Sequence, residues 1–157
     1  MSVGKALIVA VEMPPERGSF AANRGVLVRT PEAKLAEAVN LATSMGLEIM
    51  HSESVVLKKV NPPTLIGGGK VEELAAKAKE FEVDVVVVDA QLSPRQQREL
   101  EEQLNAKVLD RTGLILEIFA ARARTKAGQL QVELAQQLYA QSRLVRLWTH
   151  LERQRGG

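Results

Sequence analysis

The chain has 157 residues, of which 45% are hydrophobic and 25% are charged, and this balance is that of a globular rather than a disordered protein. The absence of cysteine excludes disulfides and sulfur-ligated metals, and two histidines, His51 and His150, are too few to predict a zinc site. The net charge is only +2, but residues 122–157 carry seven basic and two acidic side chains, so a +5 segment follows a body of −3.

This charge layout predicts a polyanionic partner for the C-terminal part of the chain, because a basic segment on a near-neutral body is typical of nucleic-acid binding. Three Phe, one Tyr and one Trp are too few for a surface that binds single strands by base stacking. No apolar run reaches the ~20 residues that cross a bilayer, and the N-terminus has no signal-peptide pattern. We therefore expect a cytoplasmic protein with no membrane partner.

The first part of the chain predicts strand, helix and strand. The apolar run at 5–11 indicates a β-strand, and a segment rich in Pro and Gly follows it. Thr30 is a typical N-cap residue, Pro31 suits the first helical position and Gly46 suits the end of the helix. The segments 47–50 and 54–60 then have the composition of strands.

A glycine-rich segment, LIGGGKVEEL at 65–74, raises the question of a phosphate-binding loop. A Walker A loop needs a glycine where Thr64 stands and a Ser or Thr where Val71 stands, so the motif fails at both ends. Free N–H groups at a helix start attract anions, but Glu72 and Glu73 would already satisfy that dipole from the first turn. We therefore predict a glycine turn that opens a helix. A nucleotide-binding alternative stays open, in which the phosphates would contact Gly67, Gly68, Gly69 and Lys70.

Strand and helix patterns continue to alternate up to residue 110. The run DVVVVD at 84–89 is too continuously apolar for a half-exposed strand, which predicts a central position in a parallel sheet. Ser93 and Pro94 are typical of a helix start, and 107–110 is the next short strand. The alternation predicts an α/β fold with a small, open, mainly parallel sheet and flanking helices.

Asp89 and Asp110 follow two of these strands at their carboxyl ends, where α/β sheets commonly bind ligands. Aspartate is also favoured in turns, because its side chain accepts hydrogen bonds from nearby backbone, and we expect this turn-capping role for both. No Ser–His–acid set or carboxylate pair is recognisable. We therefore predict no catalytic residue, no metal and no catalytic activity for this chain.

Two helical segments follow residue 110. Apolar residues recur at helical spacing on both sides of a break at Thr125–Gly128, which predicts an antiparallel two-helix hairpin with a basic tip. The second segment places Leu130, Leu134, Leu138, Val145 and Trp148 on one stripe. We expect an α/β subdomain at 1–110, a helical hairpin at 111–155 and the start of a linker at 156–157.

Four stretches in this order closely resemble the amino-terminal part of the HflX family of ribosome-associated GTPases. They are DVVVVDAQLSPRQQRELEEQL, KVLDRTGLILEIFAARART, GQLQVELAQ and RLWTHLERQRGG, and IGGGKVEEL fits the same family as a helix-opening turn. The resemblance implies that a GTPase domain, with its GTP and Mg²⁺ sites, follows Gly157 and lies outside this chain.

The resemblance also implies a partner and a site. Members of the family bind the large ribosomal subunit, and the hairpin reaches ribosomal RNA rather than DNA, in ribosome splitting or rescue, often under stress. The charge layout agrees, because Arg and Lys on a narrow tip can neutralise phosphates and Gly128 would permit a tight turn. The implied RNA-binding residues are Arg122, Arg124, Thr125, Lys126 and Gly128.

The chain departs from the family in its hairpin, where QQLYAQSRL replaces a Leu-rich run that ends in Pro-Arg-Leu. Gln137, Ala140, Gln141 and Ser142 make this stretch more polar, and the missing proline weakens any kink. A further alternative follows from the apolar stripe, which could make the hairpin a protein-interaction module that docks onto its own GTPase domain.

Overall fold

The computed structural model describes residues 4–14 and 30–155, with side chains described as far as Gln141. The chain divides into two compact units, Met1–Arg111 and Thr112–Gly157. No helix within the described ranges is long and apolar enough to cross a membrane. The elements in chain order are β1 (Lys5–Glu12), α1 (Pro31–Ser44), β2 (Glu48–Val56), α2 (Gly68–Glu80), β3 (Val85–Asp89), α3 (Pro94–Leu104), β4 (Lys107–Leu109), α4 (Arg111–Arg122) and α5 (Lys126–Arg155).

The first unit is built on a four-stranded sheet with the order β2-β1-β3-β4, and every neighbouring pair is parallel. This confirms the predicted small, open, parallel α/β sheet, and it confirms that 84–89 forms a central strand. The segments expected as two strands at 47–50 and 54–60 instead belong largely to the single strand β2. Its register against β1 shifts between Ala6 and Leu7, so the strand continues through an irregularity rather than ending.

Helices cover both faces of this sheet, as the continuous apolar runs of β1 and β3 require. One face packs against α2 and α3 in a core that includes Leu7, Val9, Val86, Leu74 and Leu100. Alternate residues of β1 point to the opposite side, because side chains alternate along a strand. Helix α1 contacts β1 and β2 and lies outside the α2/α3 core.

Helix-start signals in the sequence are confirmed in detail. The side chain of Thr30 accepts a hydrogen bond from Ala33 N–H at 3.1 Å, and α1 begins at the next residue, a proline. Ser93 forms a capping box with Gln96, in which each side chain bonds the other residue's backbone N–H. Gly46, predicted at the end of α1, has a φ of 86°, which glycine adopts without strain.

The second unit contains α4 and α5, two consecutive helices joined by residues 123–125. In α4, Leu114 and Ile118 are buried, whereas Phe119 is 54% exposed. The apolar stripe on α5 is largely uncovered among the described residues, since Leu130, Leu134 and Leu138 are each more than half exposed. The periodicity was correctly assigned to a helix, but periodicity alone does not say what covers an apolar face. The side chains of Val145 and Trp148 lie outside the described residues.

Candidate functional site

The glycine-rich segment opens α2, as predicted, and two of its glycines lie in the first turn of the helix. Gly67 is the N-cap residue and the helix begins at Gly68, so the first turn contains no acidic side chain. The prediction that Glu72 and Glu73 satisfy the helix dipole from the first turn is therefore wrong, because four helical residues, Gly68 to Val71, precede them. A Cβ on any of the three glycines would meet nothing within 4 Å, so the local packing does not require glycine there.

Lys70, the candidate phosphate ligand, is bound to carboxylates across the start of α2. Its ammonium lies 2.6 Å from Glu53 Oε2 on β2 and 3.0 Å from Glu73 Oε2 on its own helix. Lys77 and His51 each lie 3.2 Å from Glu53 Oε1, and the ring of His51 stacks on Phe81. This cluster joins the edge strand β2 to α2, and in this arrangement the Lys70 ammonium faces carboxylates rather than the glycines.

The protonation of this cluster follows from its geometry. Burial alone raises the pKa of Glu53, but hydrogen bonds from Lys70, Lys77 and His51 outweigh it and hold the pKa below its ordinary value of 4.5. Hydrogen bonds to Glu53, and then to Glu73, raise the pKa of Lys70 above its ordinary value of 10.5. Both groups are therefore charged across the neutral range, which is the state in which they stabilise the β2–α2 contact.

The carboxyl edge of the sheet brings together two predicted positions. Asp89 Oδ1 accepts a hydrogen bond from Arg111 Nε at 2.9 Å, so Asp89 forms an ion pair and the expected turn-capping role is wrong for this residue. The reason is a long-range partner that local turn preferences do not reveal. Asp110 is fully buried, and its Oδ2 accepts the Leu92 N–H at 3.4 Å. Within the described ranges, no group of three His, Asp or Glu side chains is placed to hold a metal.

The predicted RNA-binding residues lie together around the connection between α4 and α5. Arg122 ends α4, Arg124 and Thr125 are in the connection, and Lys126 begins α5. All four are exposed. Among the described residues, the three cations make no ion pair, whereas five cations of the first unit do, namely Lys34, Lys70, Lys77, Arg98 and Arg111.

The electrostatics of this basic tip, defined here as Arg122–Lys126, are one-sided. The sequence has no acidic residue between Glu117 and Glu133, and the first turn of α5 contains none. Lys126 stands at the positive end of the α5 dipole, where a cation is unfavourable for the helix itself. Arg122, in the last turn of α4, instead complements the negative end of that helix dipole. The three cations, with no acidic residue nearby in the sequence, still make this region positive, which favours an anionic partner.

The reason given for Gly128 is wrong. The residue lies inside α5 rather than in the turn, and it is not among the described residues with positive φ. Its backbone N–H donates to Thr125 Oγ1 at 3.0 Å, and a Cβ added at Gly128 would stand 2.9 Å from that same oxygen. Glycine therefore leaves room for a helix cap, which no motif or turn rule indicated.

The chain matches two consecutive family descriptions. Residues 32–120 match the family described as GTP-binding GTPase N-terminal, and residues 122–157 match the GTP-binding GTPase Middle Region. The boundary between the two matches falls at the end of α4.

Similar proteins with known names agree with these family descriptions. The chain is 56% identical over 146 residues to the GTPase HflX of Magnetococcus marinus, covering 87% of this chain and 34% of that protein. It is 49% identical over 123 residues to the GTPase HflX of Escherichia coli, covering 78% and 29% respectively. The chain thus spans about a third of the length of the curated relatives it matches.

A solved structure shares the fold. The GTP-binding protein from Sulfolobus solfataricus in complex with GDP superposes with a TM-score of 0.64 at 22% identity, covering 96% of this chain and 42% of that one. Together, the α/β unit, the helix pair and the matched regions define the N-terminal and middle parts of a GTP-binding protein. The chain belongs to the HflX family of GTPases.

The first prediction concerns Lys70. Lys70→Met keeps the aliphatic stem but removes the closest cation from Glu53, and we expect a loss of about 1 kcal/mol of unfolding free energy at pH 7. Because the folded pKa of Glu53 is lowered, this difference should be present above pH 4.5 and should vanish as the pH falls through that lowered value. At the alkaline end it should be lost as the pH rises through the raised pKa of Lys70.

Urea unfolding of both proteins across pH measures this difference. Lys58→Met is the matched control, since Lys58 is exposed and makes no ion pair with any described residue. A loss for Lys70→Met that stays constant down to pH 2 would contradict the assigned role of Glu53.

The second prediction concerns Lys126. A glutamate at this first helical position would complement the α5 dipole, which stabilises a helix end by about 0.3–1 kcal/mol. Lys126→Glu should therefore slow amide exchange in the first turn of α5 by about two- to fivefold. Hydrogen exchange monitored at Gly128 and Gln129 measures this effect. The exchange rates of Lys126→Gln should lie between those of the parent chain and those of Lys126→Glu. Faster exchange in Lys126→Glu would show that the lysine makes a stabilising contact.

Proposed function

We propose that this chain is the ribosome-binding, regulatory N-terminal part of an HflX-family GTPase, acting in ribosome splitting or rescue. In this proposal the partner is ribosomal RNA of the large subunit, and the contact residues are Arg122, Arg124, Thr125, Lys126 and Gly128. The observation that carries it is the basic tip, whose three cations are exposed and unpaired among the described residues. Family membership supports the choice of RNA among possible polyanions.

Phosphate binding is the chemistry that this tip suits best. Of the three cations only Arg122, in the last turn of α4, complements a helix dipole. Arg124 and Lys126 gain no such stabilisation, and exposed cations otherwise contribute little to protein stability, so the cluster has little structural benefit to offset its repulsion. An RNA backbone offers closely spaced anions, and each neutralised phosphate releases a counterion. A protein partner with an acidic surface would offer fewer and less regular charges, which makes it the weaker candidate.

The proposal also assigns the other functions of the whole protein. GTP and Mg²⁺ would bind in a GTPase domain outside residues 1–157, and the protein would act in the cytoplasm. Within this chain we assign the α/β subdomain to 1–110 and the helical subdomain to 111–155, with 156–157 beginning a linker. The GTPase domain would then be a second partner of this chain, and the α/β subdomain would bind no nucleotide.

The third prediction tests the tip. Replacing Arg122, Arg124 and Lys126 together with Gln should weaken binding to purified large ribosomal subunits and leave the fold intact, because exposed charges stabilise little. The slope of log affinity against log salt should flatten by about 2 units, since each lost phosphate contact removes about 0.7–0.9. Sedimentation binding over a salt series measures both quantities, and circular dichroism checks the fold.

The matched control removes the same number of charges from the first unit. Lys79, Arg95 and Arg98 are exposed on α2 and α3, and their replacement with Gln should change affinity and salt slope much less. If this control loses more affinity than the tip variant, α2 and α3 become the better candidates for the RNA-facing surface and the proposal for the tip fails.

The fourth prediction concerns catalysis. The purified 157-residue chain should hydrolyse GTP no faster than buffer, because its glycine-rich GGGK motif departs from a phosphate loop at Thr64 and Val71, and the other glycine–lysine pair, Gly4–Lys5, is followed by Ala6 instead of Ser or Thr. Phosphate release is measured with the chain and with Lys70→Ala. Turnover that scales with protein through repeated purification and falls in Lys70→Ala would overturn the assignment of nucleotide chemistry to another domain.

A further inference from the structure

Hydrogen bonds link the first turn of α5 to the connection between α4 and α5. Backbone N–H groups of α5 donate to Thr125, and a side chain of α5 donates to Ala123. Thr125 caps α5 twice, since its Oγ1 accepts Gly128 N–H at 3.0 Å and its carbonyl accepts Gln129 N–H at 2.9 Å. The Gln129 side chain reaches back, and its Nε2 donates to the Ala123 carbonyl at 3.3 Å, just beyond the end of α4. Both helix ends are therefore tied to one short connection.

Gly128 makes the Thr125 cap possible. The residue does not need glycine for its backbone conformation, because it lies in a helix without positive φ. Any Cβ there would stand 2.9 Å from Thr125 Oγ1, and that oxygen has little freedom because a threonine side chain is short and branched. A glycine inside a helix normally costs stability relative to alanine, so the cap is the feature that offsets this cost here.

We propose that Thr125, Gly128 and Gln129 are positioning residues that hold the cations of the basic tip in a fixed array before RNA binds. This inference rests on the proposed function of the tip. The three cations lie on two different helices and on the connection between them, so their spacing depends on how firmly the two helix ends are closed. When the caps are lost, the ends of α4 and α5 fray. The cations must then be ordered during binding, and the entropic cost of this ordering weakens the affinity for RNA.

This role predicts a signature that separates positioning from the phosphate contacts of the cations. Amide exchange in the free chain, measured below, separates it from a neutral contact of Thr125 or Gly128 with RNA. A variant that breaks a cap removes no positive charge, so it should lower affinity while leaving the number of neutralised phosphates unchanged. The salt slope should therefore stay at the parent value. The charge variants described above should instead flatten the slope.

The first arm of the test uses Thr125 in the full 157-residue chain and purified large ribosomal subunits. Thr125→Val has the same shape but lacks the accepting oxygen, and we expect about fivefold weaker binding with an unchanged salt slope. Thr125→Ser keeps the oxygen and should restore the parent affinity. Amide exchange at Gly128 should speed up in the Val variant and return in the Ser variant.

The second arm is a double-mutant cycle with Gly128→Ala. In the parent chain this substitution should weaken binding about threefold, because its Cβ displaces the capping oxygen, even though alanine favours a helix. In a Thr125→Ala background the oxygen is absent, and Gly128→Ala should have no effect or a favourable one. Gln129→Ala should weaken binding with an unchanged slope, since it frees the Ala123 carbonyl.

The outcomes are distinguishable. If the charge variants weaken binding but Thr125→Val binds like the parent, the positioning role fails and the proposed function stands. A Thr125→Val variant that binds weakly but has a flattened slope, or that Thr125→Ser does not rescue, also overturns the positioning role. If removal of the tip charges leaves binding unchanged, both proposals fall together.

Discussion

The α/β unit depends on the buried parallel pairing of β1 with β3. All six residues from Ala6 to Val11 are buried, and Val86, Val87 and Val88 lie beside them with at most 1% exposure. Strands buried on both faces can be stable only when helices cover both faces, since each buried aliphatic side chain contributes about 1.5–3 kcal/mol that exposure would forfeit. The positions of α1, α2 and α3 over the two faces follow from this requirement.

Local signals in the sequence therefore predicted most of this unit. Continuous apolar runs identify the central strands, because no half-exposed strand would lack polar positions. Thr30 and Ser93 mark helix starts through side-chain hydrogen bonds that span only three residues. The residues that form these hydrogen bonds are close together in sequence, so a local stretch of sequence is enough to predict them. The resemblance of four stretches to one family predicted the family itself, which the matches confirm.

The predictions that the structure contradicts failed because they depend on spatial information. In each case either the partner residue is distant in sequence or the deciding quantity is a distance between two atoms. Asp89 forms an ion pair with Arg111, and Lys70 with Glu53, across separations that turn and motif rules do not consider. Gly128 is explained by 2.9 Å between an absent Cβ and a hydroxyl oxygen, which only coordinates reveal. The exposed leucines of α5 belong to the same class, since helical spacing fixes their common face but not the surface that covers it.

A comparison of Lys70 with Lys126 shows how electrostatics decides what a motif leaves open. Lys70 follows three glycines and has the more familiar phosphate-binding sequence, yet two carboxylates lie within 3.0 Å of its ammonium. Lys126 lies in an ordinary segment, but no acid occurs between Glu117 and Glu133 and its helix dipole adds to its charge. A bound carboxylate must be displaced before a phosphate can take its place, whereas a cation with no carboxylate nearby exchanges only water and mobile ions. Availability, rather than the presence of a lysine in a glycine-rich motif, is therefore the physical reason to propose the tip, and not the glycine-rich segment, for anion binding.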